Sequence, residues 1–144
     1  MRKEICFDMD GTIADLYSVN GWLDMLRAYD ATPYLQASPL VDMVRLATEI
    51  NRLQKSGWVV KIISWLSKEP TKEYDEKVTK AKKEWLAKYL PSVTFDEINI
   101  VAHSTPKSIF GAGILFDDEE KNRMEWNGIA FDVDNILEVL SLLN

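Results

Sequence analysis

Five short apolar runs recur along the chain, EICFD (4–8), WVVKIIS (58–64), INIVA (98–102), GILFD (113–117) and IAFD (129–132), with helical patterns between most of them. Runs so short and so free of polar alternation suit strands buried on both faces, and such strands need helices to cover them. The alternation therefore predicts an α/β fold: a mainly parallel five-stranded sheet flanked by helices. One flanking helix is TKEYDEKVTKAKKEWLAKYLP, where Tyr74, Val78, Ala81, Trp85 and Leu86 fall at helical spacing before Pro91 stops the pattern. Another is DVDNILEVLSLLN at the end of the chain, with an N-cap expected near Asp132 or Asp134.

The segment 17–56 does not fit a simple strand-to-strand crossover. GWLDMLRAYD and SPLVDMVRLATEINRLQKSG each read as an amphipathic helix, joined by the breaker-rich ATPYLQASP, so a small helical insert is expected over 17–56 within a single domain, 1–144. A length of 144 residues with 47% hydrophobic content suits one core of ordinary size. Seventeen basic against 23 acidic residues argue against an extended electrostatic grip on nucleic acid. Cys6, the one cysteine, has no partner for an internal disulfide, and no run approaches the roughly 18 apolar residues of a membrane span. A cytoplasmic protein without a membrane partner is expected.

Ligands of an open parallel sheet gather outside the carboxyl ends of its strands. That rule selects Asp8 at the end of the first run, Ser64 at the end of the second, and Asp117 with Asp118 at the end of the fourth; Lys107 precedes the fourth. Several carboxylates at close range raise one another's pKa unless a cation neutralises them, and a hard divalent ion such as Mg²⁺ suits oxygen donors and phosphate. Gly11, directly after Asp10, permits a turn that presents the carbonyl of residue 10 to such an ion while the Asp10 side chain faces substrate.

DMDGT (8–12) resembles the first motif of the haloacid dehalogenase (HAD) superfamily of aspartate-dependent phosphohydrolases. Ser64 in KIISW is similar to its second motif, Lys107 to its third, and ILFDD (114–118) to its fourth, all in the family's order. Within the superfamily, DMDGTIAD, KKEWLAKYLP and a lysine ten residues before the paired aspartates resemble the 5'(3')-deoxyribonucleotidases. The resemblance implies a Rossmann-like HAD fold with the insert as its cap, and a two-step phosphoryl transfer. Asp8 would be the nucleophile, forming an aspartyl phosphate, and Asp10 the general acid and base. Ser64 and the backbone N–H of Trp65 would hold phosphoryl oxygens, and Lys107 would offset negative charge. Asp8, the carbonyl of Asp10, and Asp117 would bind Mg²⁺, with Asp118 beside them.

Blander roles compete with these. Asp8 and Asp10 also suit a turn, Asp117 and Asp118 a helix cap, Ser67 rivals Ser64, and Lys68 rivals Lys107; motif order favours the site reading. His103 is expected in a loop or in packing, and Cys6 as an inert core thiol. Tyr17, Trp22, Tyr29, Tyr34 and Trp65 include enough aromatics for a base-stacking slot, Tyr17 and Trp65 being nearest the motifs, although any cap aromatic also suits packing. Where the deoxyribonucleotidases carry an aromatic after the first motif, this chain has Leu16, with Tyr17 next. The expected activity is a phosphomonoesterase acting on a small phosphate ester, a 5'- or 3'-(deoxy)nucleotide first. Other small phosphate esters, a nucleic-acid 3'-phosphate end, and a non-catalytic binding module of the same fold are the alternatives.

Overall fold

The computed structural model describes residues 2–144. Its central sheet comprises β1 (Glu4–Phe7), β4 (Val59–Trp65), β5 (Glu97–Val101), β6 (Ile114–Phe116) and β7 (Ile129–Phe131), while β2 (Ala14–Asp15) and β3 (Ser38–Pro39) form a separate antiparallel pair. The helices are α1 (Trp22–Arg27), α2 (Thr32–Gln36), α3 (Met43–Lys55), α4 (Lys72–Tyr89), α5 (Glu120–Glu125) and α6 (Ile136–Ser141). All pairings in the five-stranded sheet are parallel, in the order β5-β4-β1-β6-β7, so each apolar run supplies one strand. The chain builds outward from β1 to β4 and β5, then returns to the other side of β1 for β6 and β7. This reversal of direction opens a crevice at the carboxyl end of β1.

Burial explains the composition of the strands. Ile5, Cys6, Val60, Ile62, Ile63, Leu115 and Phe116 are fully excluded from solvent, because α3, α4 and α6 cover one face and Phe110 and Trp126 pack on Cys6, Ile63 and Leu115 of the other. On one face, Ile5, Phe7, Ile62 and Phe116 join Leu46, Ile50 and Leu53 of α3, Trp85 of α4, and Ile136 and Leu140 of α6. Each such fully buried side chain contributes roughly 1.5–3 kcal/mol of transfer free energy. Asp132 caps a short turn, Val133–Asn135, through its Val133 N–H, and α6 begins only after that turn.

The helical insert expected over 17–56 divides in two. Helix α3, N-capped by Asp42 through the Arg45 N–H, places Leu46, Ile50 and Leu53 in the main core and so belongs to the sheet's own covering layer. The smaller piece from Leu16 to Gln36, carrying α1 and α2, packs Leu16 and Tyr34 on Tyr74, Val78 and Ala81 of α4, with Trp22, Leu26 and Leu66 partly buried around them. Amphipathic periodicity shows that a helix has an apolar face without showing which surface receives it. Among the described residues no helix is long and apolar enough to cross a membrane.

Candidate active site

Parallel strands deliver the polar residues that follow them to one edge of the sheet. Asp8 follows β1 directly, and its N–H donates to the Phe116 carbonyl at 3.0 Å, which registers the end of β1 against that of β6. Asp117 and Asp118 follow β6, Ser64 is the last residue but one of β4, and Lys107 opens a short helical turn, Lys107–Ile109. Gly11 adopts φ +80° in the loop after Asp10, and a Cβ there would fall on Asp118 Oδ2. A side chain would both strain this backbone and push the carboxylate away.

Asp8 and Asp10 do not face one another's partners. Asp8 Oδ1 accepts from Lys107 Nζ at 2.8 Å, and the same ammonium donates to Asp117 Oδ2 at 2.7 Å. Asp10 Oδ2 instead accepts from Lys82 Nζ at 2.9 Å. Two aspartates one residue apart are thus accommodated by two separate lysines, both buried. The Thr12 hydroxyl lies 3.0 Å from Asp8 Oδ2 and 3.2 Å from Asp118 Oδ1, and accepts the Asp118 N–H. Its single hydrogen serves one of these two carboxylates at a time. Asp117 is held by two further donors: Oδ1 accepts from the Glu119 N–H at 2.9 Å and Oδ2 from Asn122 Nδ2 at 3.1 Å.

Oxygen atoms of Asp8, Asp117 and Asp118 all lie within 4.8 Å of one another, an all-carboxylate donor set suited to a hard divalent cation. The Asp10 side chain stands apart from this cluster, so a ligand from that position would be the backbone carbonyl. Electrostatics reflect the crowding. Burial first, then repulsion from Asp8, pushes Asp117 up to about 6 and Asp118 up to about 8. Burial also raises Asp10, against the pull of Lys82. Burial alone would lower Lys107, yet Asp8 and Asp117 outweigh it and raise that ammonium, so it stays charged.

A cavity of about 550 Å³ opens over these groups, with Asp8, Asp10 and Lys107 on its floor and Leu16, Tyr17, Trp22 and Tyr34 of the small insert on its wall. Tyr17 is about half exposed and meets Trp22 edge-on at 5.0 Å. Burial raises the Tyr17 and Tyr34 phenols, with nearby carboxylates adding to the effect, so both stay neutral hydrogen-bonding groups. Trp65 is fixed by its indole N–H, which donates to the Thr105 carbonyl at 2.9 Å, and its ring lies 5.4 Å from Lys107 Nζ. His103 packs on that ring at 4.8 Å and lines the same cavity; burial and Lys68 lower its pKa. Ser67 and Lys68 also line the cavity, whereas Ser64 is fully buried beneath it and accepts from Lys82 at 2.6 Å. Tyr29 stands outside this wall, packed edge-on against Tyr74. Cys6 is buried at a distance from these groups, its thiol pushed up to about 12 by burial.

Three residues of the cluster carry no expectation from the sequence. Thr12 closes the DMDGT motif without a role of its own, and Asn122 looks like an ordinary helix polar residue, until the fold brings them onto Asp8 and Asp117. Lys82 left a clearer trace: it sits one helical turn after Val78 and three residues before Trp85, a lysine inside the apolar stripe of α4.

Similar proteins are found both by sequence and by fold. Over 154 aligned residues the chain is 28% identical to a 5'(3')-deoxyribonucleotidase of Bacillus subtilis (strain 168), covering 92% of this chain and 86% of that protein. A 5'(3')-deoxyribonucleotidase of Bacillus phage SPbeta matches with the same identity and coverage. Among solved structures, D,D-heptose 1,7-bisphosphate phosphatase from Burkholderia thailandensis superposes with a TM-score of 0.52 at 16% identity, covering 85% of this chain and 70% of that one. Over nearly its whole length the chain is similar to these 5'(3')-deoxyribonucleotidases. No protein-family model matches it. The resemblance read from the four motifs and the parallel α/β fold expected from the strand pattern therefore both hold, the structural neighbour supporting the fold and the nucleotidases the narrower likeness.

Proposed function

We propose that this HAD-like protein is a Mg²⁺-dependent phosphomonoesterase that acts on 5'- or 3'-(deoxy)nucleotides through an aspartyl-phosphate. The observation that carries the reading is the division of labour at the end of β1: Asp8 is held by Lys107 beside Asp117, and Asp10 by Lys82 beside Ser64, both at the floor of one cavity. The nucleotidase relatives support the enzyme class. In the first step an Asp8 oxygen bonds to phosphorus as the ester P–O bond breaks, and Asp10 gives its proton to the departing oxygen. In the second, Asp10 takes a proton from water as that water bonds to phosphorus, releasing inorganic phosphate and restoring the Asp8 carboxylate. Lys107 keeps the repelling negative charges of Asp8 and phosphate together.

Asp8, Asp117 and the carbonyl of Asp10, with Asp118 alongside, would hold Mg²⁺, which when bound offsets charge on phosphoryl oxygens. Tyr17 and Trp65 flank the space above the phosphate position and offer faces to a base, a contact worth roughly 1–3 kcal/mol. The test is phosphate release from 5'- and 3'-ribo- and deoxyribonucleotides, sugar phosphates and a 3'-phosphorylated oligonucleotide, with Mg²⁺ or EDTA, using the wild type and Asp8→Asn. Preference for mononucleotides that disappears with EDTA and in the folded Asp8→Asn protein is expected. Substantial turnover by Asp8→Asn would refute the covalent route, and preference for another ester would refute the substrate.

A further inference from the structure

Lys82 is the least exposed lysine of the site, at 1%, and its ammonium spends all three donors at once: on Asp10 Oδ2 at 2.9 Å, Ser64 Oγ at 2.6 Å and the Trp65 carbonyl at 2.6 Å. The Tyr34 ring lies 5.1 Å from the same nitrogen. An ammonium has three donors and no acceptor, so nothing in this arrangement is left to rotate. Two consequences follow for neighbouring groups. Asp10 is held by one oxygen, which fixes its rotamer and leaves Oδ1 as the atom free for substrate. Ser64, accepting from the same ammonium, is fixed beneath the cavity beside Asp10.

We infer that Lys82 is a positioning residue that aims the Asp10 carboxyl at the leaving oxygen; this rests on the phosphomonoesterase reading above. A buried lysine tying α4 to the end of β4 would also satisfy a purely structural role, because an unpaired buried charge is costly. The two roles differ in what they do to different leaving groups. An alcohol leaves from phosphorus only with a proton from Asp10, whereas p-nitrophenolate leaves as a stable anion and needs none. Both esters must still be followed by water attack with Asp10 as base.

The experiment compares Lys82→Met and Lys82→Gln with wild type on p-nitrophenyl phosphate and on a 5'-deoxyribonucleotide in Mg²⁺, with circular dichroism to follow folding. The expected result is a fall of about 100-fold in kcat/KM for the nucleotide, within the range that general acid catalysis supplies. For p-nitrophenyl phosphate, kcat/KM should fall at least about tenfold less, while kcat falls for both esters. The ratio of the two kcat/KM values does not depend on how much of the variant is folded. Equal losses on both esters would overturn the inference, as would failure of both variants to fold, which would make Lys82 a stability residue. A wild type silent on the nucleotide would fall on the proposed function instead, and the inference would go with it.

Discussion

Removing the Lys107 ammonium while keeping its stem should cost this protein a large part of its stability when no divalent cation is supplied. Lys107 is 5% exposed and bridges Asp8 Oδ1 and Asp117 Oδ2 at 2.8 and 2.7 Å, with an oxygen of Asp118 also within 4.8 Å of theirs. In Lys107→Met the apolar contacts of the stem survive, but buried carboxylates face one another without a counter-charge. Breaking a buried pair from one side typically costs about 3–5 kcal/mol. At about 2–4 °C per kcal/mol for a chain of nearly this size, the melting temperature in EDTA should drop by about 6–20 °C. Thermal unfolding followed by circular dichroism reads this directly. Adding Asp8→Asn to Lys107→Met removes one of the opposing carboxylates and should recover at least about 1 kcal/mol relative to the sum of the single effects. Excess Mg²⁺ should raise the melting temperature of Lys107→Met more than that of the wild type, since the cation takes over the missing positive charge. A Lys107→Met protein that melts within a couple of degrees of the wild type in EDTA would refute the reasoning, because it would mean the carboxylates are solvated or already neutral.

Other substitutions separate the parts of the site. Asp117→Ala should lower Mg²⁺-dependent turnover at least about 100-fold, since even residues that only support metal ligands are worth 10–100-fold, while Ala at the exposed Glu119 should leave it nearly unchanged; equal effects would misplace the metal. Gly11→Ala and Gly57→Ala both place alanine at positive φ, at a backbone cost of about 1–2 kcal/mol, but only the Gly11 substitution meets Asp118, so only that variant should also lose activity. Cys6 is fully buried with its thiol pushed up to about 12, so a thiol reagent at pH 8 should label it only on unfolding.

The sheet was legible because its central strands, buried on both faces, leave short dense apolar runs; WVVKIIS is broken only by Lys61, whose ammonium pairs with Glu4 and Glu97. The carboxyl-end rule then identified Asp8, Ser64, Lys107, Asp117 and Asp118 as residues that the fold brings to one edge. Packing destinations were less legible. The stripe of Leu46, Ile50 and Leu53 resembles any apolar stripe, and its assignment to the sheet rather than to the insert depends on the turn between β3 and α3. Lys82 went unread for a different reason: lysines are ordinarily solvated, so its place inside the stripe of Val78, Ala81 and Trp85 carried more information than its identity. His103 is a loop residue as its surroundings in the sequence suggest, but its loop reaches the cavity wall and lays the ring on Trp65.

The balance of charge in the site leads to a last prediction. Asp8, Asp10, Asp117 and Asp118 bring four carboxylates to the floor and rim of the cavity, and Lys82 and Lys107 bring two ammonium groups. With all of them ionised the cluster is two negative charges in excess. Asp10, Asp117 and Asp118 are all pushed upward, as burial and mutual repulsion require. A phosphate dianion entering over Asp8 adds to the excess, and Lys107 alone is already shared between two carboxylates. A divalent cation on Asp8 and Asp117 cancels the excess, so cation and phosphate should each strengthen the other's binding by the same factor. Calorimetric titration with inorganic phosphate, which cannot turn over to a different product, should show about 5–150-fold tighter binding in saturating Mg²⁺ than in EDTA. Titration with Mg²⁺ should show the same factor with and without phosphate. Phosphate affinity indifferent to Mg²⁺ would mean that the carboxylates are neutral before the cation arrives, or that the phosphate sits elsewhere than over Asp8.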